Sequence, residues 1–304
     1  MLGKMLKKFL TPRSSRAPAG GTRSPADDMR SAVLQAARED ARLGRLPEAI
    51  AGCKAALEFD PDCQGAHALL AAIELPGEDY FRLLGRIHAH LRPRTYVEIG
   101  VAKGDSIRRV SPETRVLGVD TEPAIKFKLP PNVKIFAQTS DSFFSQNDVR
   151  AELGGLPIDL AFIDGMHHFE FALRDFMNIE ALCTPESTIL IHDVYPLDER
   201  TAARDRATVF WSGDIWRLIL LLRKHRPGLA VNTIGAPPTG LAVVRNLDPQ
   251  SRYIRDRLDA LIKEYLAVDF SILNGCKADR LALFPNDWSR ISALLDASPV
   301  AAHP

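Results

Sequence analysis

Two short clusters carry the side chains best suited to moving protons or holding a cation. The first is Phe162-Ile-Asp164-Gly-Met-His167-His168, at the end of one apolar run. The second is Ile191-His192-Asp193-Val-Tyr195, at the end of another. Three readings stand side by side. Asp164, His192 and Asp193 can hold Mg2+ or another divalent metal, leaving positions open for substrate oxygens and lowering a hydroxyl's pKa. An imidazole in that set suits a softer ion than Mg2+. His167 can instead serve as a metal-free general base beside Asp164 and Asp193, because its unperturbed pKa is suitable. In the third reading the groups only bond loop amides and cap the next helix. His168 reads as a solvated residue at a helix start.

A second constellation lies upstream. Tyr96-Val-Glu98-Ile-Gly100-Val-Ala-Lys-Gly104-Asp-Ser106 reads as a buried strand stopped by two glycines and followed by a helix. The next apolar run, Arg115-Val-Leu-Gly-Val-Asp120, ends in an acid. Strand, glycine turn, helix and acid-closed strand make a nucleotide-cradling unit. Glycine lets the backbone approach a ligand closely, and the terminal acid can accept hydrogen bonds from ribose hydroxyls.

The elements that position these groups follow from periodicity. Asn132 to Gln138, Ile158 to Ile163 and Thr188 to Ile191 read as further strands. Phe169 to Cys183 and Gly213 to His225 read as helices. Strands over Ala230 to Ile234 and Leu241 to Arg245 are joined by a link too short for a parallel crossover, so they form an antiparallel hairpin. Asp79 can cap a helix running to about Leu91. The expectation is a Rossmann-like, doubly wound, mostly parallel α/β sheet with a C-terminal antiparallel hairpin and a small N-terminal all-α segment. Ligands then bind outside the carboxyl ends of the strands, which puts both acid clusters on one rim.

The spacing Glu98-x-Gly100-x-x-x-Gly104 resembles motif I of the class I S-adenosylmethionine-dependent methyltransferases, over roughly Asp79 to Asn246. The I-D-G-x-H and H-D-V pairs resemble a bacterial group related to sugar and antibiotic O-methyltransferases. The resemblance implies S-adenosylmethionine as cofactor, with Glu98, Gly100 and Gly104 serving its methionine moiety and Asp120 its ribose. Asp141, after the third strand, is the implied contact to the adenine amino group, with helix capping as its other reading. The acceptor implied is a hydroxyl of a sugar, glycan or small metabolite. Trp211 and Trp216 can wall the pocket, Trp216 being the better core candidate. A metal-dependent hydroxylase on the same fold and a non-catalytic scaffold whose Rossmann domain only senses cofactor are the competing functions.

Composition sets bounds. The chain has 304 residues and a net charge of +1, which argues against broad nucleic-acid binding. Its four cysteines lack metal-site spacing, and no apolar run is long enough to span a bilayer, so a cytoplasmic protein is expected. Residues 1–30 read as a basic disordered tail whose first ten residues could form a short amphipathic helix against an anionic membrane. Residues 31–76 resemble a tetratricopeptide repeat at Gly44, Ala49, Ala56 and Pro61, and one repeat must pack on something. The main domain, a protein partner or a second copy could serve. Residues 77–304 are assigned to the main domain and a C-terminal helical extension.

Overall fold

The computed structural model describes residues 25–298. Seven strands form over the expected apolar runs: β1 Thr95–Ile99, β2 Arg115–Asp120, β3 Val133–Ala137, β4 Ile158–Ile163, β5 Cys183–His192, β6 Ala230–Ile234 and β7 Leu241–Arg245. Strand β5 starts at Cys183, five residues before the expected Thr188, where the preceding helix was expected to end. An eighth, β8 Leu283–Phe284, was not expected from the sequence, since two residues carry no readable period. All eight join one sheet in the order β3-β2-β1-β4-β5-β7-β6-β8. The first five strands are parallel, and β7 is antiparallel to β5 and also to β6, the latter as the short link requires.

Register brings the chemistry together. Ile99 pairs with Val119 on one side and Ile163 on the other, and Ile163 pairs with Ile191. The next residues along β1 and β4, Gly100 and Asp164, therefore share one edge with Asp120 and His192. Alternation along each strand splits the core in two. Val97, Ile99, Ile163 and Ile191 face α7 (Phe169–Glu180), α8 (Trp216–His225) and α9 (Leu258–Leu266). Tyr96, Val116, Phe162 and Leu190 face α4 (Tyr80–Leu91) and α11 (Trp288–Asp296). The other elements of the main domain are α5 Ser140–Gln146, α6 Val149–Glu152 and α10 Lys277–Arg280. Asp79 caps α4 as expected, accepting from the amide of Arg82 at 3.0 Å.

One expected helix is absent. Between β1 and β2 the chain makes only a 3-10 turn, Ile107–Arg109. Seven residues separate Gly104 from Pro112, too few for a stable α-helix between two breakers. Its place over that face of the sheet is taken by α4, whose Leu83, Leu84 and Ile87 are buried there.

The N-terminal segment is three helices, α1 Pro25–Arg42, α2 Leu46–Phe59 and α3 Gln64–Glu74. Helix α1 begins inside the stretch expected to be a tail, while residues 1–24, which include the amphipathic stretch, lie outside the described residues. Gly44 turns the chain between α1 and α2 with φ of 80°, and Ala49 and Ala56 are fully buried. A Cβ on Gly52 would lie 2.8 Å from that of Ala37, which is how closely α1 and α2 approach. No helix among the described residues is long and apolar enough to cross a membrane.

Gly100 is the tightest point of the fold. Its φ is 88°, and a Cβ there would overlap the backbone carbonyl of Asp164. Gly100→Ala should lower unfolding free energy by at least about 2 kcal/mol, and Gly155→Ala, also at positive φ but in open space, by about 1 kcal/mol. Urea denaturation of the two variants checks the difference; equal losses would mean that close approach is not the constraint.

Candidate functional site

A cavity of about 800 Å³ opens along the carboxyl ends of β3, β2, β1, β4 and β5. Its ends differ. Toward β5 it is lined by Asp164, His167, His192 and Asp193, with Tyr80 from α4. Toward β3 it is lined by Gln138, Thr139, Ser140, Phe171 and Asp175. The glycine turn and Asp120 lie between.

Asp120 organises the turn. One carboxylate oxygen accepts from the amides of Val101 and Ala102 at 2.9 and 2.7 Å, and the other from Glu122 at 2.8 Å. Carboxylates have about four acceptor sites, so Asp120 retains capacity toward the cavity. Glu98 is placed differently. It points to the same face as Tyr96, is fully buried, and accepts from the Tyr96 hydroxyl at 2.7 Å and from the Ser106 hydroxyl. Burial pushes its carboxyl up to about 8, against the lowering effect of those two bonds. Glu98 and Gly104 do not line the cavity; they support the turn from behind.

At the other end one imidazole ties two carboxylates. His192 Nδ1 lies 3.0 Å from Asp164 and 3.1 Å from Asp193. Its Nε2 lies 3.3 Å from the Thr239 hydroxyl, which itself donates to Asp193 at 2.6 Å. With acceptors at both nitrogens, the ring is a cation. Burial alone would lower its pKa, but Asp193 and Asp164 raise it to about 10. Burial would raise the Asp193 carboxyl, yet His192 and His167 hold it down to about 2. Asp164 is raised, burial outweighing the pull of His192. Tyr80 stacks on His192 with centroids 3.9 Å apart, which fixes the ring plane. Asp193 itself has φ of 59°, a left-handed conformation rare outside glycine and concentrated at functional sites.

His167 completes the group. Its Nδ1 lies 3.2 Å from the Trp211 carbonyl, to which it must donate, and Trp211 stacks on the ring at 5.1 Å. Its Nε2 therefore faces the Asp193 carboxylate, 3.2 Å away. A lone pair opposite a carboxylate calls for a positive charge between them, either a proton or a metal ion. One ligand atom from each of Asp164, His167 and Asp193 falls within 4.8 Å of the others. His192, expected beside Asp164 and Asp193 in a metal set, has both nitrogens engaged by neighbours, whereas His167 lies with those two carboxylates.

Residues 97–194 match the family model described as a methyltransferase domain. That third of the chain includes the glycine turn, Asp120 and both acid clusters. Among solved structures, the chain is similar to the O-methyltransferase TomG from Streptomyces achromogenes, involved in tomaymycin synthesis and solved with SAM. Identity is 15%, coverage 74% of this chain and 90% of that one, and TM-score 0.43. An O-methyltransferase from Bacillus cereus in complex with SAH gives 18%, 58%, 86% and 0.40 for the same measures. Cofactor-bound Rv0187 from MTB gives 17%, 73%, 90% and 0.43. No curated protein matches the chain.

Three expected residues sit apart from the cavity's chemistry. Asp141 does not line it and instead holds Arg174 by two bonds of 2.9 and 2.8 Å. Trp216 is a core residue, edge-on to Phe270, as the sequence favoured. His168 bonds the Arg204 carbonyl at 3.1 Å. Conversely, Tyr80, Gln138, Phe171 and Asp175 reach the cavity unannounced, because single positions on α4 and α7 and one just past β3 leave no local motif. Gln138 Nε2 and Asp175 Oδ1 are both buried without a partner. Burial pushes the Asp175 carboxyl up to about 7.

Glu98 gives a pH test. Its native pKa of about 8 exceeds the ordinary 4.5, so the native chain keeps a proton that the unfolded chain releases as pH rises between those values. Its contribution is thus fully present below about pH 4.5 and lost as pH rises through about 8. Glu98→Gln should flatten the fall of the urea midpoint between pH 5 and 8. Asp175 titrates in the same window, so the slope should decrease rather than vanish, and a variant as steeply pH-dependent as the parent would show that Glu98 is not among the titrating groups.

Proposed function

We propose that this chain transfers a methyl group from S-adenosylmethionine to an acceptor hydroxyl on a sugar or small metabolite. The observation that carries this reading is the single cavity with a backbone cradle at Gly100, a free acceptor edge on Asp120, and a charged carboxylate–imidazole cluster at one end. Bound S-adenosylmethionine would supply a methyl already activated by its sulfonium, so no covalent nucleophile is needed. The chain's own work is to align the reactants and manage one proton. Asp120 accepts from the ribose, and the Gly100 turn lets backbone approach the methionine moiety.

Gln138 and Asp175 suit the adenine end better than Asp141. One offers a buried donor and the other a buried acceptor, each unsatisfied, and such groups rarely stay unpaired. Adenine presents an acceptor beside an amino group and can satisfy both.

Toward the acceptor, Asp164, His167 and Asp193 are the residues that would hold a divalent cation. The Nδ1–carbonyl bond of His167 supports this fit, since a ligating histidine commonly donates its other nitrogen to a backbone carbonyl. A cation there would lower the pKa of the acceptor hydroxyl and orient its oxygen. The second reading is a proton in the same place, with His167 and Asp193 forming a base dyad, and the 3.2 Å separation of that pair favours it equally. In either case His192 keeps both carboxylates in position.

Calorimetric titration of S-adenosylmethionine into the protein should show binding that Asp120→Ala weakens roughly tenfold or more, the loss expected when charged hydrogen bonds are removed. Absence of binding to folded protein would overturn the methyltransferase reading. Manganese titration followed by electron paramagnetic resonance separates the two proton-handling schemes. Saturable binding lost in Asp193→Asn supports the cation; no binding supports the dyad.

A further inference from the structure

The loop between β5 and α8 has almost no regular structure from Ala207 to Gly213, yet it supplies the carbonyl that orients His167. Within the loop, Trp211 is tied by its indole nitrogen to the Ala203 carbonyl at 2.6 Å, and the Thr208 hydroxyl donates to the Phe210 carbonyl at 2.6 Å. Ser212 is held by the Thr201 carbonyl at 3.0 Å. Two further restraints come from the N-terminal helices. Asp62, in the turn between α2 and α3, accepts from the Val209 amide at 2.6 Å. His67, in the first turn of α3, stacks on Phe210 with centroids 5.0 Å apart and planes 15° apart.

We infer that the N-terminal helices are a structural part of the site, with Asp62 and His67 acting as positioning residues that hold the His167 imidazole through Val209, Phe210 and Trp211. The order of contacts is continuous: Asp62 to Val209, His67 to Phe210, then Trp211 to the His167 ring by both stacking and a hydrogen bond. Val209 is about half exposed, so its amide has no burial to hold it, and a carboxylate acceptor is a strong restraint there. His67 is buried, and burial lowers its pKa, so it stacks as a neutral ring. The Glu74–Lys277 pair, at 2.5 Å, fastens the far end of α3, and the same Lys277 reaches the Pro196 and Leu197 carbonyls at the start of the loop. The helical segment therefore touches the loop directly at Val209 and Phe210 and is joined to its start through Lys277. The importance of the His167 ring for methyl transfer rests on the function proposed above, whereas its hydrogen bond can be measured without it.

The experiment is NMR of the full chain with 15N-labelled histidine, the His167 ring assigned through His167→Gln. In the parent protein, Nδ1 should carry a proton protected from exchange with water. Asp62→Ala and His67→Ala should speed that exchange about tenfold or more, as expected for loss of one good hydrogen bond or stack. Asp62→Asn keeps an acceptor oxygen and His67→Phe keeps the stack, so both should restore exchange to within about twofold of the parent. Urea midpoints, read in parallel, show whether each variant remains folded. The inference is overturned if the folded alanine variants leave the His167 ring unchanged, if the parent shows no protected Nδ1 proton, or if Asn and Phe fail to rescue. Failure of the methyltransferase reading would appear separately, as absent S-adenosylmethionine binding with the ring signals as expected.

Discussion

Two carboxylates can stand on neighbouring strand ends only because a buried cation stands between them. His192 provides it, with Nδ1 shared by Asp164 and Asp193. An uncompensated pair of buried acids would push one carboxyl into its protonated form. The imidazolium offsets that pressure at Asp193, which remains an anion, while Asp164 stays raised. The rest of the site is arranged around this contact. Tyr80 fixes the ring plane, Thr239 bridges its other nitrogen to Asp193, and the register of β4 on β5 sets the distance.

A second constraint follows from packing. The glycine turn passes so close to the Asp164 backbone that no side chain fits at Gly100. Gly213 repeats the device across the cavity, with φ of 64° and no room for a Cβ against the His167 carbonyl. Both loops are thus set against the fourth strand's exit, one on each side. Asp214, beside Gly213, accepts from the Phe169 amide at 2.6 Å and pairs with Arg217 at 3.1 Å, so the start of α7 and the start of α8 are fixed together. The two glycine contacts are backbone against backbone, and the Asp214 carboxylate adds a side-chain tie beside them.

Much of this was legible in the sequence, for identifiable reasons. Strand positions and the antiparallel hairpin follow from alternation and from a link too short for a crossover. The acids and histidines of the two clusters fall together because strand ends share a rim. What periodicity could not reveal were the partners of each histidine. His167 and His192 have the same chemistry, and they are distinguished by the Trp211 carbonyl at one ring and by Asp164 and Thr239 at the other, all distant in the chain. Asp141 looked available because its partner Arg174 lies on another helix. The helix expected after Gly104 failed for a local reason, the early Ser-Pro stop. Tyr80 and Asp175 were invisible because their roles depend on packing, and β8 because it is too short to show a pattern.

The face of the sheet covered by α4 and α11 has a consequence for how the chain acquires its structure. These helices lie side by side, with His90 2.8 Å from Asp296 and the Arg86 guanidinium over the Trp288 ring at 4.2 Å. One precedes the first strand and the other follows the last. A chain synthesised from its N-terminus therefore completes nearly all of its sheet while that apolar face is half covered. Ile291 and Leu295 close it only when α11 emerges. Until then the part of that face under Ile291 and Leu295 is uncovered, and this interval is when a nascent chain is most open to association with its neighbours.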